Sequence, residues 1–485
     1  MKPMGTITKY YPFIDEESKS ILKSLMDESS SYYDFVQHLC NLVLEKDASD
    51  TLVYIAAAQC WYADAGALRN AILDKYDSLA TIKPWTYYWG THESYKYENC
   101  QAILQTLDSA LKPPSDNWIA AELLLAHAYN LALRPEGTKL LSKASAILDR
   151  HPDLLCFKPL AYIAEGRVNY VEAKASDATA FTRKGYELAR ANSDAVYECL
   201  SILSLGEITM HKNPQESLDL FEQAYQIAQN LGVPVFTGEA LSSAGLVYEA
   251  LGEHDLAISS QLESLKEYDT YGNEIIFAIL SRLYAALGDG QQSLEWADRS
   301  LGDKEFYYGY LRRARALIVL NRLDEAEKSL IIANRKVLQT GNDSDLALYY
   351  FVSGLLDMAR GEFANAMATL EQAYEILYPR ESILYLNETL IALATVELAL
   401  LLQSQNSNKA APGKWLSILE NHARIFDMPG IAMQAALLRS EVFKMQDQLQ
   451  DANETLRRAI ELSDSPGVRT LRKRIAARMK EIEHQ

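Results

Sequence analysis

Seven times along this chain a small residue is followed, seven positions later, by another small residue inside the same helical pattern. The first members are Ala178, Ser217, Ala257, Ser293, Ala326, Ala366 and Ala452; the second are Gly185, Ala224, Ser264, Ser300, Ala333, Ala373 and Ala459. Twelve residues before each first member stand Gly166, Leu205 (beside Gly206), Gly245, Ser281, Ala314, Gly354 and Ser440. Small residues at matched places on two successive helices let the backbones approach closely, so each unit reads as a tight antiparallel helix pair. Successive first members lie 39, 40, 36, 33, 40 and 86 residues apart, and the last interval fits two units. A period in this range specifies a stacked helical repeat array, in which each repeat needs only its neighbours.

Turn chemistry agrees with the register. In the clearest unit, from Glu239 to Asp269, a first helix carries Leu241, Ala244, Gly245, Tyr248 and Leu251 at helical spacing. Gly252 ends it, as a residue able to take positive φ just past a helix should. Glu253, His254 and Asp255 make the turn, and a second helix places Ala257, Ile258, Leu262, Ser264 and Leu265 inward. Gly288, Asn321 and Gly361 stand at the same place in later units, and Gly and Asn share a tolerance for left-handed backbone.

These residues resemble the tetratricopeptide repeat family. Its Gly-x-x-Tyr run on the first helix appears as Gly245 to Tyr248, with Ala257 on the second helix. Its Ala-x-x-x-Phe-x-x-Ala pattern is approached by Ala366, Leu370 and Ala373 after Gly354 and Phe363. Ala326 with Leu330 and Ala333, and Ala452 with Leu456 and Ala459, give two further matches. Gln261 stands where the family has an aromatic residue, and repeats of about 33–43 residues exceed its usual period in most units. The resemblance implies an all-α, right-handed superhelical solenoid of antiparallel helix pairs. It covers 119–465 as the repeat array. Residues 1–118 are expected as a helical block of degenerate repeats, and 466–485 as a capping helix. That last segment sets Leu471, Ile475, Met479 and Ile482 on one face and carries Arg469, Arg472, Lys473, Arg474, Arg478 and Lys480 on the rest.

Composition narrows the function. A hydrophobic content of 48% with 23% charged residues is that of a folded protein, and the net charge of −18 argues against nucleic acid, whose phosphates need clustered cations. Five scattered cysteines without Cys-x-x-Cys spacing suit a reducing, cytoplasmic setting. The N-terminal residues lack the apolar run of a signal peptide, and no membrane span is expected. The histidines do not pair at metal-ligand spacing, no phosphate-cradling loop and no nucleophile elbow occurs, and the carboxylates select no pair. No enzyme, no cofactor and no metal is therefore expected.

Two features remain as candidate sites. In the family that this chain resembles, the first helix of each pair lines the concave groove, with an exposed position just after the small site. Here those positions are Arg167, Glu207, Leu246, Arg282, Arg315, Leu355 and Glu441. Arg282 and Arg315 should project side by side, with Tyr308 and Arg312 one to two turns before Arg315 and Glu249 one turn after Leu246. Adjacent guanidinium groups suit a carboxylate or phosphate; salt bridging to neighbouring helices is the plainer use. The second feature is an aromatic stretch, Trp85, Tyr87, Tyr88 and Trp89, within the expected loop 84–97. It reads either as a plug over the first helix pairs or as a recognition surface.

The leading expectation is a protein-binding scaffold or adaptor that holds a peptide or partner segment in the groove. A regulatory sensor for a small ligand or signalling peptide is the second reading, and a carbohydrate-active helical toroid the third. Pairing of two copies through end repeats is compatible with all three. Of the set of basic and amide groove residues that clamps chaperone tails in the family this chain resembles, only Arg282 and Arg315 have counterparts; Ser242, Leu246, Ala278 and Leu311 fill the other places, so that activity is not expected.

Overall fold

The computed structural model describes residues 4–63, 65–86, 97–111, 117–132, 135–171, 174–267, 273–301, 307–340, 343–380, 383–403 and 413–484. Among them are helices and short 3₁₀ turns and no strand. The chain forms two compact units, Met1–Thr209 with Glu216–Ala240, and Met210–Gln215 with Leu241–Gln485.

The first unit opens with α1 (Met4–Thr8), α2 (Glu16–Glu28), α3 (Tyr32–Glu45), α4 (Asp50–Tyr62), α5 (Gly66–Lys75) and α6 (Tyr97–Ala110). It continues with α7 (Trp118–Asn130), α8 (Pro135–Arg150), α9 (Lys158–Val171), α10 (Ala175–Ala191) and α11 (Ala195–Thr209). Most of α12 (Pro214–Leu231) and the start of α13 (Pro234–Ala250) complete it. Asp15, Ser31, Ser49 and Asn117 each accept a backbone N–H three residues on, capping α2, α3, α4 and α7. Such caps satisfy donors that a helix start leaves orphaned.

The second unit holds the remainder of α13 and then α14 (His254–Glu267), α15 (Asn273–Leu287), α16 (Gly290–Leu301), α17 (Tyr307–Val319) and α18 (Leu323–Thr340). After these come α19 (Asp343–Ala359), α20 (Phe363–Leu377), α21 (Ile383–Gln403), α22 (Lys414–Ile425), α23 (Pro429–Met445), α24 (Leu449–Glu461) and α25 (Arg469–Glu483). Consecutive helices pack as pairs, α9 on α10, α15 on α16, α17 on α18, α19 on α20 and α23 on α24, and successive pairs meet through α16 and α17 and through α18 and α19. This is a TPR-like helical-repeat fold.

The small-residue register is what closes the pairs. All seven first members are buried without exposure, and the second members are buried too. A β-carbon on Gly354 would come within 2.6 Å of Leu370, and one on Gly206 within 2.5 Å of the Phe221 ring. Ser217 donates to the Gly206 carbonyl at 2.7 Å, and Ser293 to that of Ser281 at 2.8 Å, so hydroxyls substitute for methyl contact in those pairs. Gln261, out of pattern by sequence, lies buried over Gly245. Its amide donates to the Ser242 carbonyl at 2.8 Å and accepts from the Ser242 hydroxyl at 2.9 Å. The four turn residues take the left-handed backbone expected of them, Gly252 at φ 79° and Asn321 at φ 56° among them.

One expectation needs qualification. Residues 384–403, within α21, are long and apolar enough to cross a membrane by length and composition alone. Here α21 packs between α20 and α22, and its Glu388 and Glu397 are bonded to Arg315 and to the start of α22.

Candidate ligand site on the first helices of the repeats

The first helix of a pair is sandwiched between its own partner and the neighbouring pairs, so it has little outer surface. In the first unit α4 buries eleven of its thirteen residues, and α7 and α11 are apolar nearly all round. A polar side chain on such a helix is therefore held inside the unit, away from water.

Glu122, the one acid of α7, shows this. Its fully buried carboxylate accepts from Tyr10 at 2.7 Å, Tyr54 at 3.1 Å and Tyr62 at 3.3 Å. Burial raises its pKa above the usual carboxylate range, against the pull of Lys9 and the three phenols. Lys9 lies 3.3 Å from buried Asp194 and 3.8 Å from the centre of the Tyr197 ring, while Thr6 donates to Asp194 at 2.8 Å. Residues 6–10 thus occupy the inner side of α4, α7 and α11. The sequence signal was a lone acid inside an apolar helix, which the register argument did not weigh.

Arg167 and Glu207, expected as groove positions of adjacent repeats, keep partial exposure and approach each other to 3.8 Å. Arg167 also donates to the Tyr129 hydroxyl at 2.9 Å and lies over that ring. Leu246 is half-buried and packs against Ala257, Ile279 and Leu283, and Leu355 is half-buried on α19.

In the second unit the structure brings the expected arginines together and corrects their setting. Arg282, Arg312 and Arg315 are 3%, 3% and 7% exposed, and Glu249 6%, where an open face had been expected. The reason is α21, which lays Tyr385 and Glu388 over them. Arg315 is gripped by both Glu388 oxygens, at 2.6 and 3.0 Å. Arg282 is bonded to Glu249 and lies 5.0 Å from the centre of the Tyr385 ring. Burial works against the Arg282 charge, but Glu249, Tyr385 and Glu388 outweigh it and lift its pKa. Burial likewise works against Glu388, and Arg315 outweighs it, holding that carboxylate below its usual range. Tyr308 donates to Asp345 of α19 at 2.6 Å. Arg312 donates from Nη2 to the Tyr385 hydroxyl at 2.8 Å.

The aromatic stretch is corrected in part. Trp85 is fully buried, with ring centres 5.3 Å from Trp61, 5.9 Å from Tyr54 and 6.0 Å from His127, so it is core and not surface. Tyr87, Tyr88 and Trp89 lie outside the described residues. Among the described residues no cluster of His, Cys, Asp and Glu could hold a metal.

No family model and no curated protein matches the sequence. Among solved structures the chain is similar to a Rap protein complexed with competence and sporulation factor, at 12% identity and TM-score 0.40 over 76% of this chain and 98% of that one. It is similar to phAimR in a structure with its ligand, at 13% identity and TM-score 0.40 over 79% and 98%. It is also similar to yeast Tom70, at 12% identity and TM-score 0.35 over 89% and 95%.

Proposed function

We propose that this chain is a non-catalytic binding protein that holds a peptide, or an extended segment of a partner protein, against the first helices of its repeats, anchored at the arginine cluster of the second unit. The observation that supports the reading is the gathering of Arg282, Arg312 and Arg315 from α15 and α17 on one inner face. Stability does not require three cations to be buried together, because like charges in a desolvated place repel and are poorly screened. Two of them are paired with Glu249 and Glu388, and a receptor for an acidic ligand has a use for the third. Enclosure of the cluster by α21 favours a compact acidic group over a chain that runs freely through, which also suits a sensor whose ligand alters how α21 packs.

Photo-crosslinking tests the reading. Benzoylphenylalanine placed at Leu246 or Leu355, half-buried positions of the first helices, should crosslink a partner in cells. The same residue at Ile331, 50% exposed on the second helix α18, should not. Crosslinks from Ile331 alone would move the binding face to the outside and overturn the proposal.

A further inference from the structure

The arginine cluster is one anion short. Arg282 has Glu249 and Arg315 has Glu388, each as a direct ion pair. Arg312 has the hydroxyl and ring face of Tyr385 and only a longer-range pull from Glu388, which Arg315 already grips, and its Nε and Nη1 find no acceptor among the described residues although both atoms are buried. The other titratable groups nearby supply no counter-ion. His254, buried against Glu249, Glu388 and Arg315, is held towards its neutral form by burial. Asp345 is turned to the Tyr308 hydroxyl. Burial depresses the pKa of Arg312 and Arg282 and Arg315 add to that effect, while Tyr385 and Glu388 pull the other way without overcoming it. Three guanidinium groups thus face two carboxylates, in a place where an uncompensated cation keeps its full desolvation cost. Strain of this kind persists at sites that a ligand relieves.

We infer that Arg312 is the receptor for a single carboxylate brought by the bound peptide or partner segment, taken up by the two nitrogens that now lack acceptors. The inference rests on the binding role proposed above and names the ligand chemistry of its anchor. A carboxylate there balances the cluster at three charges against three, and a planar guanidinium with free donors is suited to it. The group comes either from a peptide C-terminus or from an acidic side chain. Its entry requires the Tyr385 ring to move off Arg312, so binding is coupled to the start of α21.

Thermal melts of the full chain test this, with N-acetylglycine as a minimal C-terminus, N-acetylaspartate α-amide as an acidic side chain, and N-acetylglycinamide as the neutral control. One of the two carboxylate probes should raise Tm saturably and the neutral amide should not, and the more effective probe identifies the source. Arg312→Met, which keeps an apolar stem and removes the charge, should melt at or above the wild type without ligand and lose at least tenfold in probe affinity. If Arg312→Met melts well below the wild type, the residue is structural and the inference falls. A probe response retained in Arg312→Met, absent for both carboxylates, or equalled by the neutral amide overturns it as well. Crosslinking from Leu246 and Leu355 is independent of these melts. A partner that crosslinks there while the probes fail removes the carboxylate and leaves the binding role, and the reverse result removes the peptide path alone.

Discussion

His127 of α7 is fully buried, its ring centre 6.4 Å from that of Trp61 and 6.0 Å from that of Trp85. Burial lowers its pKa from 6.5 to about 4. In the unfolded chain the same side chain takes up a proton as the pH falls through 6.5, while the folded protein stays neutral there. The unfolded state then binds more protons, so stability falls with pH between roughly 6.5 and 4, by on the order of 3 kcal/mol in total for this one group. Urea melts from pH 7 to pH 4.5 should show that loss, and His127→Leu should flatten the slope relative to the wild type. An unchanged slope in His127→Leu would mean that the proton is taken up elsewhere.

Helix pairs were legible from residues whose role is local, and the site was not, because its surroundings are distant in the chain. Gly245, Ala257 and Ser264 announce a close crossing by size alone, and Gly252 and Asn321 announce the turn by backbone tolerance. The same register put Arg282 and Arg315 on the inner side of α15 and α17. It could not foresee that Tyr385 and Glu388, 73 residues beyond Arg312 and Arg315, would cover them. Helical periodicity gives the direction of a side chain and says nothing of what closes over it. Trp85 was open to two readings for the same reason, since Trp61 and His127 come from other helices. At the level of one helix the register makes a sharp prediction. On α20, Ala366 is fully buried beneath Gly354 and Ala368 is exposed. Ala366→Leu should cost about 1–3 kcal/mol by overpacking, whereas Ala368→Leu should change stability by less than about 0.5 kcal/mol. Equal urea midpoints for the two variants would show that the pairs are not held by close backbone approach.

Repeats in an open array touch only their neighbours, and stability is then a sum of local terms. The second unit departs from that rule. The Ala250 carbonyl accepts from Asn387 of α21 at 2.9 Å, and the Leu251 carbonyl accepts from the Gly430 N–H of α23 at 3.0 Å. Gly467 packs on Glu253, and Asp255 accepts from Thr470 through its N–H at 2.9 Å and its hydroxyl at 2.8 Å. Val468, at the start of α25, offers no cap of its own, so Asp255, 215 residues earlier, caps that helix. The turn between α13 and α14 is thereby joined to three later elements, and the arginine cluster sits on helices of the same unit. Contacts of this kind predict a unit coupled from end to end, in which loss of the distal contact is felt at the first turn. Losing a cap of this kind costs about 0.5–2 kcal/mol. Asp255→Ala should therefore speed amide hydrogen exchange in α25 and in residues 251–256 together, while α17 and α18, which lie between them in sequence, keep their protection. If exchange rises in α25 and α24 alone, the long-range contact carries no energy, and the unit behaves as an ordinary chain of neighbours.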